Sequence, residues 1–412
     1  MPAMIETPER SQNTRTRRSL STRRRLLYSA IACCLFFGTV EVLARLAAPE
    51  VGNGRFHQIR ELVLFLGTQE SDLMLDFDPE RFWKLRPSIE INDPGNSYWQ
   101  GTVSNSLGFR SPEFTLEKPG GTTRIVCFGD SSTFGIGATM EDTWPFQLEQ
   151  QLNHTFQIAT SSLTDSKRAR SHFQVINAGV PGYTSHQGLQ HMRQEIDRLQ
   201  PDIVFASYAN NDFWTWDNQT DAQHANRLQR WSLRKTLLHS HTVQLLDEAI
   251  RPTRQPASHD WAASATNSYF IPNKEWTQRV PLDSFRANIE SMAELCAARD
   301  VSLILVLWPD QPLADGRWSI RLDYHDMLRR IAADRNLEIA DVTSAFQQNR
   351  PWSVQSYVPN DIVHVNGYGN RLAAQEASRA VLQTHHRARL NQRPSQLLTS
   401  KPHSGTGGLI RQ

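Results

Sequence analysis

The chain has 412 residues, of which 39% are hydrophobic and 21% charged, an ordinary balance for a globular protein. This composition argues against wholesale disorder and against a protein with several membrane spans. The formal net charge is only +2, with the arginine excess at the two ends, so we expect no folded nucleic-acid-binding face. The four cysteines match no disulfide framework and no zinc pattern. We expect neither a metal nor another cofactor.

A basic segment followed by an apolar one opens the chain. Residues 1–25 contain seven arginines against two glutamates, and residues 26–48 are mostly apolar, with Glu41 and Arg45 near their far end. As a helix the second segment measures about 34 Å, enough to cross the hydrocarbon layer of a membrane. We therefore expect 1–25 to be cytoplasmic and 26–48 to be a transmembrane anchor, with the rest periplasmic or at the cell surface. The alternative is a cleaved signal peptide and an exported, soluble protein.

The middle of the chain shows an alternating pattern. Residues 49–121 precede it, and we expect them to form an irregular extension that packs against the main domain. From about residue 124, short β-rich runs alternate with helical patterns, which is typical of βαβ units and a parallel sheet. The predicted strands cover residues 124–128, 173–177, 202–207, 301–307 and 337–340. The sequence thus predicts an α/β domain over 122–387.

Apolar residues recur at helical spacing between the predicted strands. They predict core-facing helices over 185–199 and 285–299, and a helix over about 367–385 closes the domain. An insertion over about 214–283, with a candidate helix over 233–250, is either a lid, a dimer contact or a long loop without a role. We expect the polar tail, 388–412, to be disordered.

A serine and a histidine lie at the ends of two predicted strands. Ser131 follows the first strand in the turn Gly129-Asp130-Ser131, at the carboxyl edge of the sheet, where α/β folds bind their ligands. A serine hydroxyl attacks an ester only with the help of a base, usually a histidine oriented by a carboxylate. Asp361 and His364 supply both groups in a loop after the last strand. Seen singly, each motif could instead be a capped loop or a helix-capping histidine.

Two further strand ends offer hydrogen-bond donors. Gly182 follows the second strand and can present its backbone N–H, while Asn211 follows the third and can present its amide. Such donors stabilise the oxyanion that forms when an ester is attacked. Either loop could reflect turn chemistry alone. The four elements occur in order, each at the end of a predicted strand, and together they indicate one site.

These blocks resemble the four that supply Ser, Gly, Asn and His in the SGNH (GDSL-type) hydrolase family, here in its membrane-anchored bacterial envelope type. The resemblance implies a three-layer, flavodoxin-like α/β fold with a parallel sheet of roughly five strands. It also implies that Ser131 is the nucleophile and first oxyanion donor, and that Gly182 and Asn211 are the further donors. By the same resemblance, His364 is the general base and Asp361 is the carboxylate that orients it. Asn211 is preferred to Asn210 because the family pattern has Asn followed by Asp. The family block usually has glycine where this chain has Ala209 and Asn210.

The expected function is hydrolysis of carboxylic esters, O-acetyl or short acyl, through an acyl-serine intermediate outside the cytoplasm. The alternatives are a polysaccharide O-acyltransferase and an inactive, SGNH-derived glycan-binding protein. An acetylated glycan is a candidate substrate because Trp214 and Trp216 lie close to Asn211, and exposed tryptophan faces suit sugars. These tryptophans could equally be core aromatics that anchor the insertion.

Overall fold

The computed structural model describes residues 21–47, 74–92, 99, 101–161, 172–214, 219–230, 240–250, 277–311, 322–349, 354–359 and 361–397. The helices of this part are α1 Thr22–Ala47, α2 Ser131–Phe134, α3 Trp144–Ser161, α4 Ser185–Leu199, α5 Asp221–Arg230, α6 His241–Ile250, α7 Leu282–Ala297, α8 Leu322–Arg335, α9 Val342–Gln348 and α10 Gly367–Leu397. Its strands are β1 Leu75–Asp78, β2 Phe82–Leu85, β3 Glu90–Ile91, β4 Thr102–Val103, β5 Thr122–Gly129, β6 His172–Gly179, β7 Ile203–Ser207, β8 Ser302–Val306 and β9 Glu338–Ala340.

The chain divides into two compact units, and the first comprises residues 1–54 and 233–252. Its helix α1 is long and apolar enough to cross a membrane. Near the end of α1, Glu41 accepts hydrogen bonds from the side chain of Ser240 (2.6 Å) and the backbone N–H of His241 (2.8 Å), at the start of α6. Arg45 donates to the same carboxylate at 2.9 Å, one turn further along. The two charges that interrupt the apolar segment are therefore paired.

The second unit, residues 55–232 and 253–412, contains the main sheet. Its five strands are all parallel, in the order β6-β5-β7-β8-β9. This is the flavodoxin-like order, in which the chain reverses its winding direction beside the first strand and leaves a crevice at the carboxyl ends. The five predicted strands and the α/β fold are confirmed.

Hydrophobic side chains cover both faces of this sheet. Along β5, Val126 and Phe128 belong to one core cluster, which includes residues of α4, α7 and α8, whereas Ile125 and Cys127 belong to another, with residues of α3, α9 and α10. Strands buried on two sides read as continuous apolar runs, which is why they were recognisable in the sequence. Helices on both faces complete the three layers.

The extension is more ordered than the sequence indicated. Strands β1 and β2 pair antiparallel, and so do β3 and β4, so the described part of the extension contains short regular elements. Strands of two to four residues are too short for an alternating pattern to be recognised. The side chains of Phe82 and Trp83 lie in the same core cluster as the main sheet, which confirms that the extension packs against the domain.

The structure describes part of the tail and part of the insertion. Helix α10 continues to Leu397, past residue 388, because Ala388, Arg389 and Leu390 are good helix formers. The predicted disordered tail is therefore helical up to that point, and 398–412 lie outside the described residues. In the insertion, the helix predicted over 233–250 is described over His241–Ile250.

Candidate active site

The first strand of the sheet leads directly into the short helix that carries Ser131. A Cβ atom on Gly129 would lie 2.1 Å from the Thr133 side chain, so glycine leaves room for the short helix to pack against the end of the strand. Asp130 caps the helix by accepting a hydrogen bond from Ser132 N–H at 2.8 Å. Ser131 is the first residue of α2, so its N–H has no acceptor within the helix. Both its hydroxyl and its amide are available at the sheet edge.

Ser131 meets the histidine of the last loop. His364 Nε2 lies 2.8 Å from Ser131 Oγ, and His364 Nδ1 lies 2.7 Å from Asp361 Oδ2. The other oxygen of Asp361 accepts the backbone N–H groups of Val363 (2.7 Å) and His364 (2.8 Å). One carboxylate thus shapes the loop and orients the imidazole. The arrangement allows the imidazole to take a proton from the serine hydroxyl.

Trp308 supports this loop, and sequence reasoning missed it. Its indole N–H donates to Val363 O at 3.2 Å, and the N–H of Gln311 donates to Ile362 O at 2.7 Å. Both donors lie just beyond β8. The available signal was the position of Trp308 at the end of a predicted strand, since no recognised motif includes it. Contacts to two successive carbonyls hold the histidine loop against the sheet edge.

A buried arginine supports the segment that follows the nucleophile. Arg110 donates to the carbonyls of Gly135 (3.1 Å) and Ala138 (2.6 Å) and lies over the Phe134 ring at 4.3 Å. Burial lowers the pKa of Arg110 to about 9. Arg110 belongs to the extension that precedes the main sheet, so this extension helps to hold the loop that follows the nucleophile.

The second block forms a β-turn over Val180 to Tyr183. The N–H of Tyr183 donates to Val180 O at 3.2 Å, and Gly182 has φ +78°. Proline at the second position and glycine with positive φ at the third define a type II turn. Among the residues that the structure describes, none accepts a hydrogen bond from Gly182 N–H. Within the described part of the chain, this donor is therefore open to a ligand.

The third block brings Asn211 next to the nucleophile turn. Its amide nitrogen lies 2.9 Å from Tyr183 O and 3.4 Å from Asp130 Oδ2. Asn210 is directed elsewhere, donating to Ser132 Oγ at 2.9 Å. Ala209 adopts φ +117° where the family usually has glycine, so the block keeps its shape at a cost in backbone strain.

Asp212 links the second and third blocks. Its carboxylate accepts the N–H groups of Ser185 (2.8 Å) and Ala209 (3.1 Å). Burial raises the pKa of Asp212 to about 7, although these N–H groups and Arg279 act in the opposite direction. Asp212 thus connects the backbone at the start of α4 to the backbone of the third block.

Of the two tryptophans after this block, Trp214 lies within the described residues and Trp216 does not. Trp214 is partly buried against the core, and its ring stacks on Phe213 with centroids 5.7 Å apart. This packing favours an anchoring role for Trp214. Trp216 lies outside the described residues, so the sugar-binding surface stays a prediction. Within the described part of the chain, no group of three or more His, Cys, Asp or Glu side chains is arranged to hold a metal ion.

Comparison with solved structures finds similar chains at low sequence identity. They include an acetyl xylan esterase (17% identity, covering 63% of this chain and 99% of that chain, TM-score 0.38). A lipase/acylhydrolase from Enterococcus faecalis is 18% identical, with 62% of this chain and 93% of that chain covered and a TM-score of 0.37. A catalytic mutant of an acetylxylan esterase from Geobacillus stearothermophilus is 15% identical, with 63% of this chain and 94% of that chain covered and a TM-score of 0.37. A search of curated protein sequences found no match.

The sequence itself matches the family described as GDSL-like lipase/acylhydrolase over residues 127–372, more than half of the chain. The match spans all four blocks, from the nucleophile turn to the histidine loop. It agrees with the resemblance seen in the motifs and with the parallel five-stranded sheet. The chain therefore belongs to the GDSL-like lipase/acylhydrolase family and is a hydrolase that acts on ester bonds.

Proposed function

We propose that the protein is a serine esterase that cleaves O-acetyl or other short-chain carboxylic esters through an acyl intermediate on Ser131. The observation that supports this most directly is the continuous series of short contacts from Asp361 through His364 to Ser131. A binding module has no need of a carboxylate-oriented imidazole in contact with a serine hydroxyl. This series argues against the inactive, glycan-binding alternative.

In the proposed first half-reaction, Ser131 Oγ attacks the ester carbonyl carbon while His364 Nε2 takes the hydroxyl proton. Asp361 stabilises the imidazolium that results. The carbonyl oxygen becomes an oxyanion, which accepts hydrogen bonds from the N–H groups of Ser131 and Gly182 and from the Asn211 amide. As the tetrahedral species collapses, the bond to the alcohol breaks, and His364 gives its proton to the leaving oxygen. The alcohol departs and the acyl group remains on the serine.

The second half-reaction restores the enzyme. His364 removes a proton from a water molecule, whose oxygen attacks the acyl carbon. The same donors bind the second oxyanion. When it collapses, the bond to Ser131 Oγ breaks, the serine recovers its proton from His364, and a carboxylic acid leaves. An acceptor alcohol in place of water would turn the same steps into the O-acyltransferase reaction.

The decisive test is a hydrolysis panel with full-length, detergent-solubilised protein. Wild-type protein and the Ser131→Ala variant are compared on p-nitrophenyl esters of increasing chain length and on acetylated oligosaccharides. We expect serine-dependent release of p-nitrophenol, fastest with acetate or another short acyl group. Mass analysis of products with and without an added sugar acceptor separates hydrolysis from acyl transfer. Absence of wild-type turnover on every ester would overturn the proposal.

We further propose that α1 anchors the protein in a membrane with its catalytic unit outside the cytoplasm. The proposal is supported by the exposed apolar side chains of α1, such as Leu35, Phe36 and Phe37, and by the arginines before them. Alkaline phosphatase fused after residue 60 should be active. Full-length protein in carbonate-washed membranes is expected. A soluble product that begins near residue 49 would show instead that the segment is a cleaved signal.

A further inference from the structure

We propose that Trp83, in the extension that precedes the main domain, is a positioning residue that keeps the Gly182 N–H directed towards the oxyanion. The inference rests on the proposed serine-esterase function. Trp83 lies in β2 with only 1% of its surface exposed. Its indole N–H donates to Pro181 O at 3.0 Å.

The contact determines where the Gly182 N–H points. Pro181 O and Gly182 N–H belong to the same peptide group, and in a planar trans peptide the carbonyl and the N–H point in opposite directions. With the carbonyl held by the Trp83 indole, the N–H faces away from Trp83. It meets no acceptor among the described residues there, as expected for a donor kept available for a ligand.

The peptide group between Pro181 and Gly182 can flip within a β-turn, so its orientation depends on contacts from outside the turn. Type I and type II turns share the hydrogen bond between their ends and differ by a flip of the central peptide. Gly182 is compatible with both forms because glycine adopts positive and negative φ with similar ease. In the flipped form, Pro181 O would replace the N–H on the ligand side and repel an oxyanion. Trp83 stabilises the type II form alone.

The neighbouring peptide is restrained as well. Arg279 donates to Gly182 O at 2.8 Å and pairs with Asp221 at 3.0 Å, both side chains being fully buried. The hydroxyl of Tyr183 donates to Trp83 O at 2.5 Å. The turn is thus held on one side by the extension and on the other by residues at the two ends of the insertion. These additions to the sheet domain take part in forming the oxyanion site.

The test removes the indole donor without changing the shape of the side chain. Trp83 is replaced with 3-benzothienylalanine, in which sulfur takes the place of the N–H, and in parallel with phenylalanine. Loss of one hydrogen bond should shift the turn equilibrium and lower kcat for p-nitrophenyl acetate by about threefold to tenfold, with KM unchanged. The rate of inactivation by a fluorophosphonate should fall in parallel, since its adduct uses the same donors. Trp99→Phe, at another buried tryptophan of the extension (5% exposed), is the matched control and should retain the wild-type kcat.

The outcomes separate the two proposals. A lower kcat in the benzothienyl protein, with unchanged KM and melting temperature, supports the positioning role. Wild-type kcat in that protein would overturn this role and leave the proposed function standing. Equal losses in Trp83→Phe and Trp99→Phe, with full activity in the benzothienyl protein, would likewise assign Trp83 to packing alone. An inactive wild type would overturn the proposed function and the positioning role together.

Discussion

The candidate site has two halves that are built differently. In the half proposed to transfer protons, three side chains contact one another in series: Ser131, His364 and Asp361. In the half proposed to bind the oxyanion, the donors are the backbone N–H groups of Ser131 and Gly182 and the amide of Asn211. The first half depends on the chemistry of its side chains, whereas the second half depends on the directions in which its N–H groups point. We therefore expect substitutions in the first half to lower kcat by several orders of magnitude, and substitutions in the second half to lower it by smaller factors.

The largest effect should come from the nucleophile. Ser131→Ala should lower kcat by about five to six orders of magnitude and abolish fluorophosphonate labelling. Stability should change by less than about 1 kcal/mol, since the substitution removes a single oxygen atom and leaves the Cβ packing in place. Activity assays, labelling and urea unfolding measure the three quantities. Retained labelling would identify a different serine, with Ser132 the first to examine.

The other members of the proton-transfer half come next. His364→Ala should lower kcat by several orders of magnitude, and Asp361→Ala by about 10⁴, because the imidazole loses its orientation and its counter-charge. If the three act as one unit, the double variant Ser131→Ala/His364→Ala should be no slower than either single variant. Steady-state kinetics on p-nitrophenyl acetate measure this. Full activity after loss of His364 would disprove its role as base.

The oxyanion half should respond more mildly. Asn211→Ala should lower kcat by about 10² to 10³ with little change in KM, since the amide binds a charge that appears only in the transition state. Asn210→Ala is the matched control, and its effect should be far smaller because Asn210 donates to Ser132. The reverse ranking would place the oxyanion donor one residue earlier in the chain.

The smallest effect concerns the scaffold of the oxyanion half. His191 is buried between the rings of Phe109, Phe128 and Tyr183, and this burial lowers its pKa well below the ordinary value. The folded protein therefore favours neutral His191, and the stability present above pH 6.5 is lost as the pH falls below it. From pH 8 to pH 5.5 the expected loss of stability from this group is on the order of 1 kcal/mol. Urea unfolding at the two pH values should show a smaller loss in His191→Phe than in the wild type, and equal losses would contradict the assignment.

Much of the fold was predictable because the central strands are buried on both faces. Their apolar runs are continuous, and the polar residues that follow each run mark the strand ends where the four blocks lie. Other parts carried no such signal. Strands β1 to β4 are too short to show a period, and Trp308 and Arg110 act on backbone carbonyls, which every residue possesses.

Those parts of the candidate site whose residues are close together in the chain could be predicted from the sequence. Asp361 and His364 are three residues apart, so one loop brings the carboxylate to the imidazole, and Pro181-Gly182 favours a type II turn through the φ angles of these residues. The tertiary structure alone decided what holds that turn. Trp83 lies 98 residues before Pro181, and a contact over that distance forms only when the extension packs against the domain. An indole N–H recognises any carbonyl, so its partner is selected by the packing of the surrounding core.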